Sequence, residues 1–515
     1  MKYLMFICLL LAVMQTPQAQ CVGTPYIGFV QKPAPPSSTM GVDFWMTFEN
    51  NFGQVITGGN TYLALNIAAQ LPTTITISFT ESGNSYTYTL AAGVSRRIDI
   101  RQMVSDGNTG TVDERAGVYI DTATAKNGGV SNKTMHITST QPIAVYAFDT
   151  QSATTDATVV YPTVAWGTDY YQLAYAPSNG FVSNEIIIAN QDNTIITLSD
   201  NTTQTLSAGQ VYVTNGGTAD LTGRHLTSSK PVACFAGATI FNVPATIGYA
   251  DVMCEQMVPT KMWDKRYFVP NVPQFSNSSL IINNRIRIVA SQDGTNITYS
   301  GASLPAITPT GSTAIANGEA LNAGQWVELV INDRDSGAYI TANNPVGIAG
   351  YLVGGSSAGG IAIGKSGGGD PDGAMIPGLN QLIQQVTISP FMFPIYSTTQ
   401  TGAAYTAANI PYTNFDDSGA IHGAIILTKT AYKNSVNMVE NGTVTLTLDP
   451  DQWIDDANGS GMSIYRYQFD NINDQNSSFT ISSLVNGGGL VVLCYGIATV
   501  ESYYYNAGSG AYSLQ

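Results

Sequence analysis

A chain of 515 residues is too long for a single hydrophobic core, so several structural units are expected. Only 11% of its residues are charged and the formal net charge is −15, which excludes nucleic acid and anionic lipid surfaces as natural partners. Gly, Thr, Ser and Asn replace the missing charge, together with 28 Tyr, and that mixture favours strands and turns over long helices.

Residues 1–19 predict a secretory leader. Lys2 gives the positive start, Leu4 to Met14 the apolar stretch, and Ala19 a small residue at a cut before Gln20. The apolar stretch is too short to span a bilayer and no second run of about 18 apolar residues follows, so no transmembrane anchor is expected. Cys21 would stand just past the cut, but Gln20 occupies the place where lipid attachment needs a small residue. Residues 20–40, with Pro33, Pro35 and Pro36, read as an extended lead-in.

From Gly41 onward one pattern recurs. A strand pair comes first: Tyr62 to Ala68 with Thr74 to Ile77, Glu185 to Asn190 with Thr194 to Leu198, and Arg285 to Ala290 with Thr295 to Tyr299. The alternation and the β-branched residues predict half-buried strands. A turn glycine follows (Gly93, Gly209, Gly324), where a positive φ is expected. The most faithful copy is Met135 to Val145, repeated as Arg224 to Cys234 and Ala338 to Ile348, with Pro142, Pro231 and Pro345 each expected to begin a strand. An acid-led apolar block then precedes an aromatic strand: Asp156 to Tyr161 before Trp166 to Tyr171, and Asp251 to Met257 before Trp263 to Phe268.

A weaker fourth copy uses Gly423 to Leu427, Leu448 to Trp453 and Gly489 to Cys494. The expected organisation is four β units, at 41–166, 167–263, 264–382 and 383–515, the last a degenerate cap. Units of about 100–130 residues with about seven strand-like segments suggest an all-β chain of tandem sandwich-like repeats. A propeller-like arrangement of the same units is the alternative. Gly354 to Asp372 reads as a surface loop or linker.

Four cysteines would remain after removal of the leader. In an exported protein they suggest disulfides, with three connectivities open. Cys234 and Cys254 lie in one unit and bracket a Gly- and Pro-containing loop, whose closure would contribute roughly 3 kcal/mol. Cys21 with Cys494 would instead join the two ends.

No nucleophile elbow, phosphate loop, paired Cys-x-x-Cys or zinc-binding His-Glu-x-x-His is present. His136 and His225 occupy one repeat position, filled by Tyr339 in the third copy, and read as strand residues inherited by duplication. His422 has no evident partner in the sequence. The carboxylates Asp449, Asp451, Asp455 and Asp456, and the pair Asp370 and Asp372, form oxygen-rich segments that could hold Ca²⁺ but match no twelve-residue calcium loop, so solvated turns are expected. No cofactor is expected, and a glycosidase carboxylate pair is a minor alternative. Trp45, Trp166 and Trp263, with Tyr170, Tyr171 and Tyr267, recur near unit starts. They would either pack junctions or offer stacking faces to sugars.

The segments Val145 to Asp149, Asp156 to Pro162, Gly167 to Tyr171, Pro231 to Gly237, Asp251 to Pro259 and Arg266 to Val269 resemble the N-terminal domain of IgGFc-binding proteins. The resemblance spans Gly41 to Pro377 and is strongest from Met135 to Pro270. It implies an exported β-rich module, and it implies pairing of Cys234 with Cys254. The name comes from animal mucin-associated proteins that bind the Fc region of immunoglobulin G. The sparse charge, the leader ending Gln18-Ala19-Gln20 and the Asn/Thr/Ser surface fit a bacterial, Bacteroidetes-like member, and the Cys-dense modules that follow the domain in animal mucus proteins are lacking here.

These features together predict a secreted or cell-surface, non-enzymatic, adhesin-like protein that recognises glycans or glycoproteins of the mucin kind. The alternatives are a self-associating subunit of a surface filament or layer, and a glycoside hydrolase with β accessory modules.

Overall fold

Strands buried on both faces decide the architecture. Tyr62–Ala69 and Ser183–Ala189 are buried at every position, and Arg285–Ala290 at all but its first. Such strands need a covering layer on each side. The alternation in the sequence predicts half-buried strands, but the polar residues within it are also covered. Asn66 Nδ2 donates to Ser389 O at 3.1 Å and Asn184 Nδ2 to Glu49 Oε2 at 3.1 Å.

The computed structural model describes residues 39–52, 61–151, 154–178, 180–272, 283–354, 369–391, 421–470, 477–485, 488–498 and 501–510. All belong to one compact unit, Ala34–Gln515. The predicted leader, Cys21 and most of the lead-in lie outside the described residues.

Each unit is built on a long strand. In the first it is Met135–Gln151, in the second His225–Phe241, in the third Gly337–Tyr351. Pro142, Pro231 and Pro345 do not begin strands. They sit inside these long strands, where the strand changes partners within its sheet and no ladder bond needs their missing N–H. The half after the proline forms a blade. From the inside outwards the first blade runs Thr154–Val160, the long strand, Tyr62–Ala69 and Val94–Asp99. The half before the proline carries the same sheet on through Met40–Met46, Thr73–Phe79 and Ser85–Leu90. The second and third units repeat this plan. In the fourth the long strand is divided into Phe479–Ser483 and Leu490–Ile497, so its two sheets are separate.

Four hydrophobic cores lie between the units, and each is shared by one unit and the blade of the next. Leu65, Ile137 and Val145 meet Ile186, Val211 and Phe235 of the second unit. Ile187, Ile196 and Leu226 meet Val289, Ala349 and Met375 of the third. Ile288, Ile340 and Ile348 meet Ile425, Leu493 and Ile497 of the fourth. Ile426, Ile481 and Val492 meet Ala64, Tyr146 and Val159 of the first. The sequence of contacts closes on itself. The chain is an all-β set of repeats, sandwich-like within each unit and propeller-like among units. Among the described residues the sheets of successive units hold seven, eight, eight and, as four plus five, nine strands, of which four or five form the blade.

The inner strands are stitched around the axis by side chains. Thr158 Oγ1 donates to Glu255 Oε2 at 2.6 Å, Met375 N to Glu255 Oε1 at 3.0 Å, Tyr504 N to Asp372 Oδ2 at 2.8 Å, and Asn506 Nδ2 to Tyr161 OH at 3.2 Å. The turn glycines hold the expected positive φ, at 71° for Gly93, 83° for Gly209 and 79° for Gly324.

The expected Cys234–Cys254 disulfide is not formed. Cys254 pairs with Gly237 in the ladder, three residues beyond Cys234, so about 10 Å of strand separates the two, more than a disulfide spans. They also face opposite sides of the blade, Cys254 toward the first core and Cys234 toward the second. Cys234, Cys254 and Cys494 are buried free thiols, and burial pushes the first two well above the usual thiol range. A thiol reagent is accordingly expected to label none of the three in the folded protein and all three in guanidinium. A reducing agent is expected to leave the melting temperature unchanged, which calorimetry with and without reductant would check.

Candidate functional site

The repeated aromatics divide into four buried latches and one ring, that of Tyr171, that lines a groove. Trp166 and Trp263 each end a single 3₁₀ turn, Thr163–Ala165 and Thr260–Met262. Their indole N–H groups donate to Tyr161 O at 3.1 Å and Val258 O at 3.0 Å. Tyr170 OH accepts from Gly167 N at 2.8 Å and donates to Val232 O at 2.6 Å. Tyr267 OH does the same between Asp264 N at 2.7 Å and Val346 O at 2.6 Å. All four rings are buried. The junction around Trp263 and Tyr267 encloses about 10 Å³, no more than one water. These four pack the junctions and present no exposed ring face.

Tyr171 has the opposite orientation to Tyr170 and lines a groove of about 750 Å³ between the second and third units. The backbones of Gly223 and Gly324 meet beneath it. A Cβ on Gly223 would fall 2.0 Å from Gly324 O, and φ there is +83°. Only glycine permits this approach, and it brings Trp326 and Gln325 of the third unit opposite Arg224 and His225 of the second.

The groove's charges are arranged in pairs. Arg224 Nε lies 2.7 Å from Glu185 Oε2 and its Nη2 3.4 Å from Asp200 Oδ2. Arg287 lies buried beneath the lining residues Asp220, Thr222 and Trp326. Its side chain is 1% exposed, with Nε 3.0 Å from Glu328 Oε2 and Nη1 2.8 Å from Asp220 Oδ2. Its guanidinium lies 3.5 Å from the Tyr175 ring centre and 4.3 Å from that of Trp326. At the rim His225 stacks on Tyr171 at 4.3 Å and places Nε2 3.0 Å from Asp169 Oδ2. That hydrogen bond holds the Asp169 carboxyl below its ordinary range. The lining offers hydrogen-bonding groups beside the edges of two largely buried rings, Tyr171 and Trp326, and the acids Asp169, Asp200 and Asp220 each lie against a His or Arg side chain.

The His225 triplet has a twin in the first unit. His136 stacks on Trp45 at 4.1 Å, with Nε2 3.1 Å from Asp43 Oδ1. In the third unit Phe268 pairs with Tyr339 instead. The duplicated histidines are thus cross-strand packing residues, as their repeat position implies. His422 is buried and its Nδ1 lies 2.7 Å from Tyr503 OH. Asp449 caps Asp451 N at 3.0 Å, Asp455 pairs with Lys433 at 2.6 Å, and Asp456 accepts from Asn458 N at 2.9 Å and Ser460 N at 2.8 Å. Asp449 and Asp456 are turn caps, and Asp455 is a strand residue in an ion pair. Asp370 and Asp372 are different. They are not in a solvated turn but buried at the propeller axis.

A comparison with protein families matches residues 156–496, well over half of the chain, to the family described as IgGFc binding protein. The chain belongs to this family. The family match begins at Asp156 in the first inner strand and continues to Gly496 in the fourth blade. It thus takes in the fourth unit, beyond the Gly41 to Pro377 span on which the resemblance rests, and it leaves out most of the first. A search among curated proteins finds no match. Membership fixes the module without fixing a ligand for the groove. Arg224, Arg287 and Trp326 escape notice in the sequence because nothing in their spacing marks a site. Only the contact of Gly223 with Gly324 brings them together.

Proposed function

We propose that this chain is an exported, non-enzymatic binding protein that holds a glycan or a glycosylated segment of a glycoprotein in the groove between its second and third units. Membership in the IgGFc-binding family supports a binding role. The observation that carries the reading is the groove itself: about 750 Å³, with Tyr171 and Trp326 in its walls and Arg224, His225 and Gln325 as hydrogen-bonding groups. Sugars are bound by such combinations of aromatic faces and planar polar groups. Among the described residues no helix is long and apolar enough to cross a membrane.

The test is an array of glycans and glycoproteins that includes mucin and immunoglobulin G. Thr310 is an exposed wall residue of the groove, and Thr310→Trp is expected to lower affinity for the retained ligand at least about tenfold, a change of about 1.4 kcal/mol, with an unchanged melting temperature. Undiminished binding by that variant would place the site elsewhere. Failure to bind any glycan or glycoprotein would reject the reading.

A further inference from the structure

The groove between the second and third units is open because a closing strand is missing there. Where the first and second units meet, Gly129–Ser131 of the first pairs with Val211–Val213, the outer strand of the second blade. Among the described residues, the outer strand of the third blade, Trp326–Ile331, gains no such strand from the second unit. Its edge is met by the third unit's own chain. Thr313 N donates to Trp326 O at 2.7 Å, and Ala302–Ser303 pairs at the far end. The second unit's connection into its long strand, residues 214–224, is also much shorter than the first unit's, residues 100–134. It runs along one wall of the groove from Ala219 to Arg224.

Carboxylates outnumber bases in and behind this opening. Asp220 is in the lining, Asp200 and Asp169 lie against Arg224 and His225, and Asp293 accepts from Ala323 N at 3.0 Å. Glu185 and Glu328 stand behind them. Each guanidinium is already engaged: Arg224 with Glu185 and Asp200, Arg287 with Asp220 and Glu328, and Arg285 at 4.0 Å from Glu328. Among the described residues Arg224 is the one Arg or Lys of the lining. An acidic sugar is held by a guanidinium or ammonium with donors to spare, and this groove has none set apart for it. What it offers instead suits hydroxyl groups. The side chains of Asp169 and Asp200 are 44% and 57% exposed and accept from donors. Gln325 Oε1 accepts from Asn322 N at 2.8 Å, so its amide nitrogen is the end that serves a ligand.

We propose that the groove selects uncharged glycans and turns away those carrying sialic acid, sulfate or uronate, an inference that rests on the groove being the glycan site. A sugar hydroxyl both donates and accepts, so it serves the exposed carboxylates and the Gln325 amide together. An anionic sugar reaches Arg224 only by competing with Asp200 and Glu185, which already hold it. The formal charge of −15 on the whole chain acts in the same direction. Asp200 is the specificity-determining residue most open to test. It stands in an exposed turn, where its Oδ1 accepts from Thr202 N at 2.9 Å, a bond that asparagine also makes.

The test is binding of the full mature chain at pH 7.5 to one mucin preparation, intact and after enzymatic removal of its sialic acid and sulfate. At low salt the treated mucin is expected to bind at least about tenfold tighter. The ratio should shrink to about two- to threefold at 0.5 M sodium chloride, because screening weakens repulsion and leaves neutral hydrogen bonds in place. Asp200→Asn removes one of the competing carboxylates and is expected to cut the low-salt ratio at least about threefold, with the parent's melting temperature as the sign that it is folded. The salt series needs no variant and stands by itself. Tight binding of the treated mucin with an equal or tighter grip on the intact one would overturn charge selection and leave the glycan groove standing. A ratio that ignores both salt and Asp200→Asn would also overturn it. Binding to neither preparation, nor to any member of the glycan array, would remove the glycan reading and this inference with it.

Discussion

Arg287→Met is expected to destabilise the protein by about 3–5 kcal/mol, the range for removing one partner of a buried ion pair. Methionine replaces most of the arginine stem, so the loss is chiefly electrostatic. The guanidinium is the close partner of Glu328, which is 1% exposed. It also bonds Asp220, the Thr222 hydroxyl at 2.8 Å and the Ala174 carbonyl at 2.5 Å. Without it, Glu328 keeps only the Tyr175 hydroxyl at 2.8 Å and Arg285 at 4.0 Å. The double variant Arg287→Met with Glu328→Met is expected to recover most of the loss, because a buried pair replaced by apolar residues of similar size is often neutral. Urea unfolding of the parent, both single variants and the double variant would measure the coupling. A double variant no more stable than Arg287→Met would show that the arginine acts through packing rather than charge.

The second large effect depends on pH. Glu49 is fully buried where the first unit meets the second, accepting from Asn50 N at 2.7 Å and Asn184 Nδ2 at 3.1 Å. Gly237 leaves it room, since a Cβ there would lie 2.2 Å from Glu49 Oε2. Burial raises its pKa from an ordinary 4.5 to about 7, against the smaller opposing effect of its hydrogen bonds. An acid whose folded pKa is raised binds its proton more tightly when folded. Its contribution is therefore complete below about pH 4.5 and is lost as pH rises through 7. Glu49→Gln copies the protonated form. It is expected to leave stability unchanged at pH 4 and to raise it at pH 8 by about 3 kcal/mol, since a tenfold change in proton affinity is worth about 1.4 kcal/mol. Asn184 Oδ1 has no hydrogen-bond partner, so a turned Asn184 amide can accept from the new glutamine. Unfolding free energies of both proteins at pH 4, 6 and 8 would check this. Parallel curves would mean that Glu49 does not titrate in that range.

The repeat, the all-β class and the family were legible because they rest on local patterns: the turn glycines, the proline in each long strand, the acid-led block. What was not legible depends on closure of the ring. Asn66 meets Ser389, 323 positions away, and no pattern in the sequence pairs them. Asp156 and Asp251 read only as the leading acids of apolar blocks. They are buried because the inner strands that carry them face one another at the axis. Tyr170 and Tyr171 are neighbours on one strand and must face opposite ways, yet only the third unit determines that Tyr171 borders a groove. The cysteines misled for a related reason. Spacing in the chain suggested a loop that could be closed, but the ladder register sets them three residues apart on opposite faces.

The seam between the first and fourth units also orders events in time. The strand Ser502–Gly508 covers the first blade, with Tyr146 OH donating to Ala507 O and Thr39 N to Ser509 O at 3.1 Å. Those residues are synthesised after nearly all the rest of the ring. Until they arrive, the apolar flank of Ala64, Tyr146, Phe148 and Val159 is covered only in part, by residues such as Phe391 and Ile426. A nascent chain in that condition is prone to stick to its neighbours. The last strand therefore completes both the fourth blade and the cover of the first.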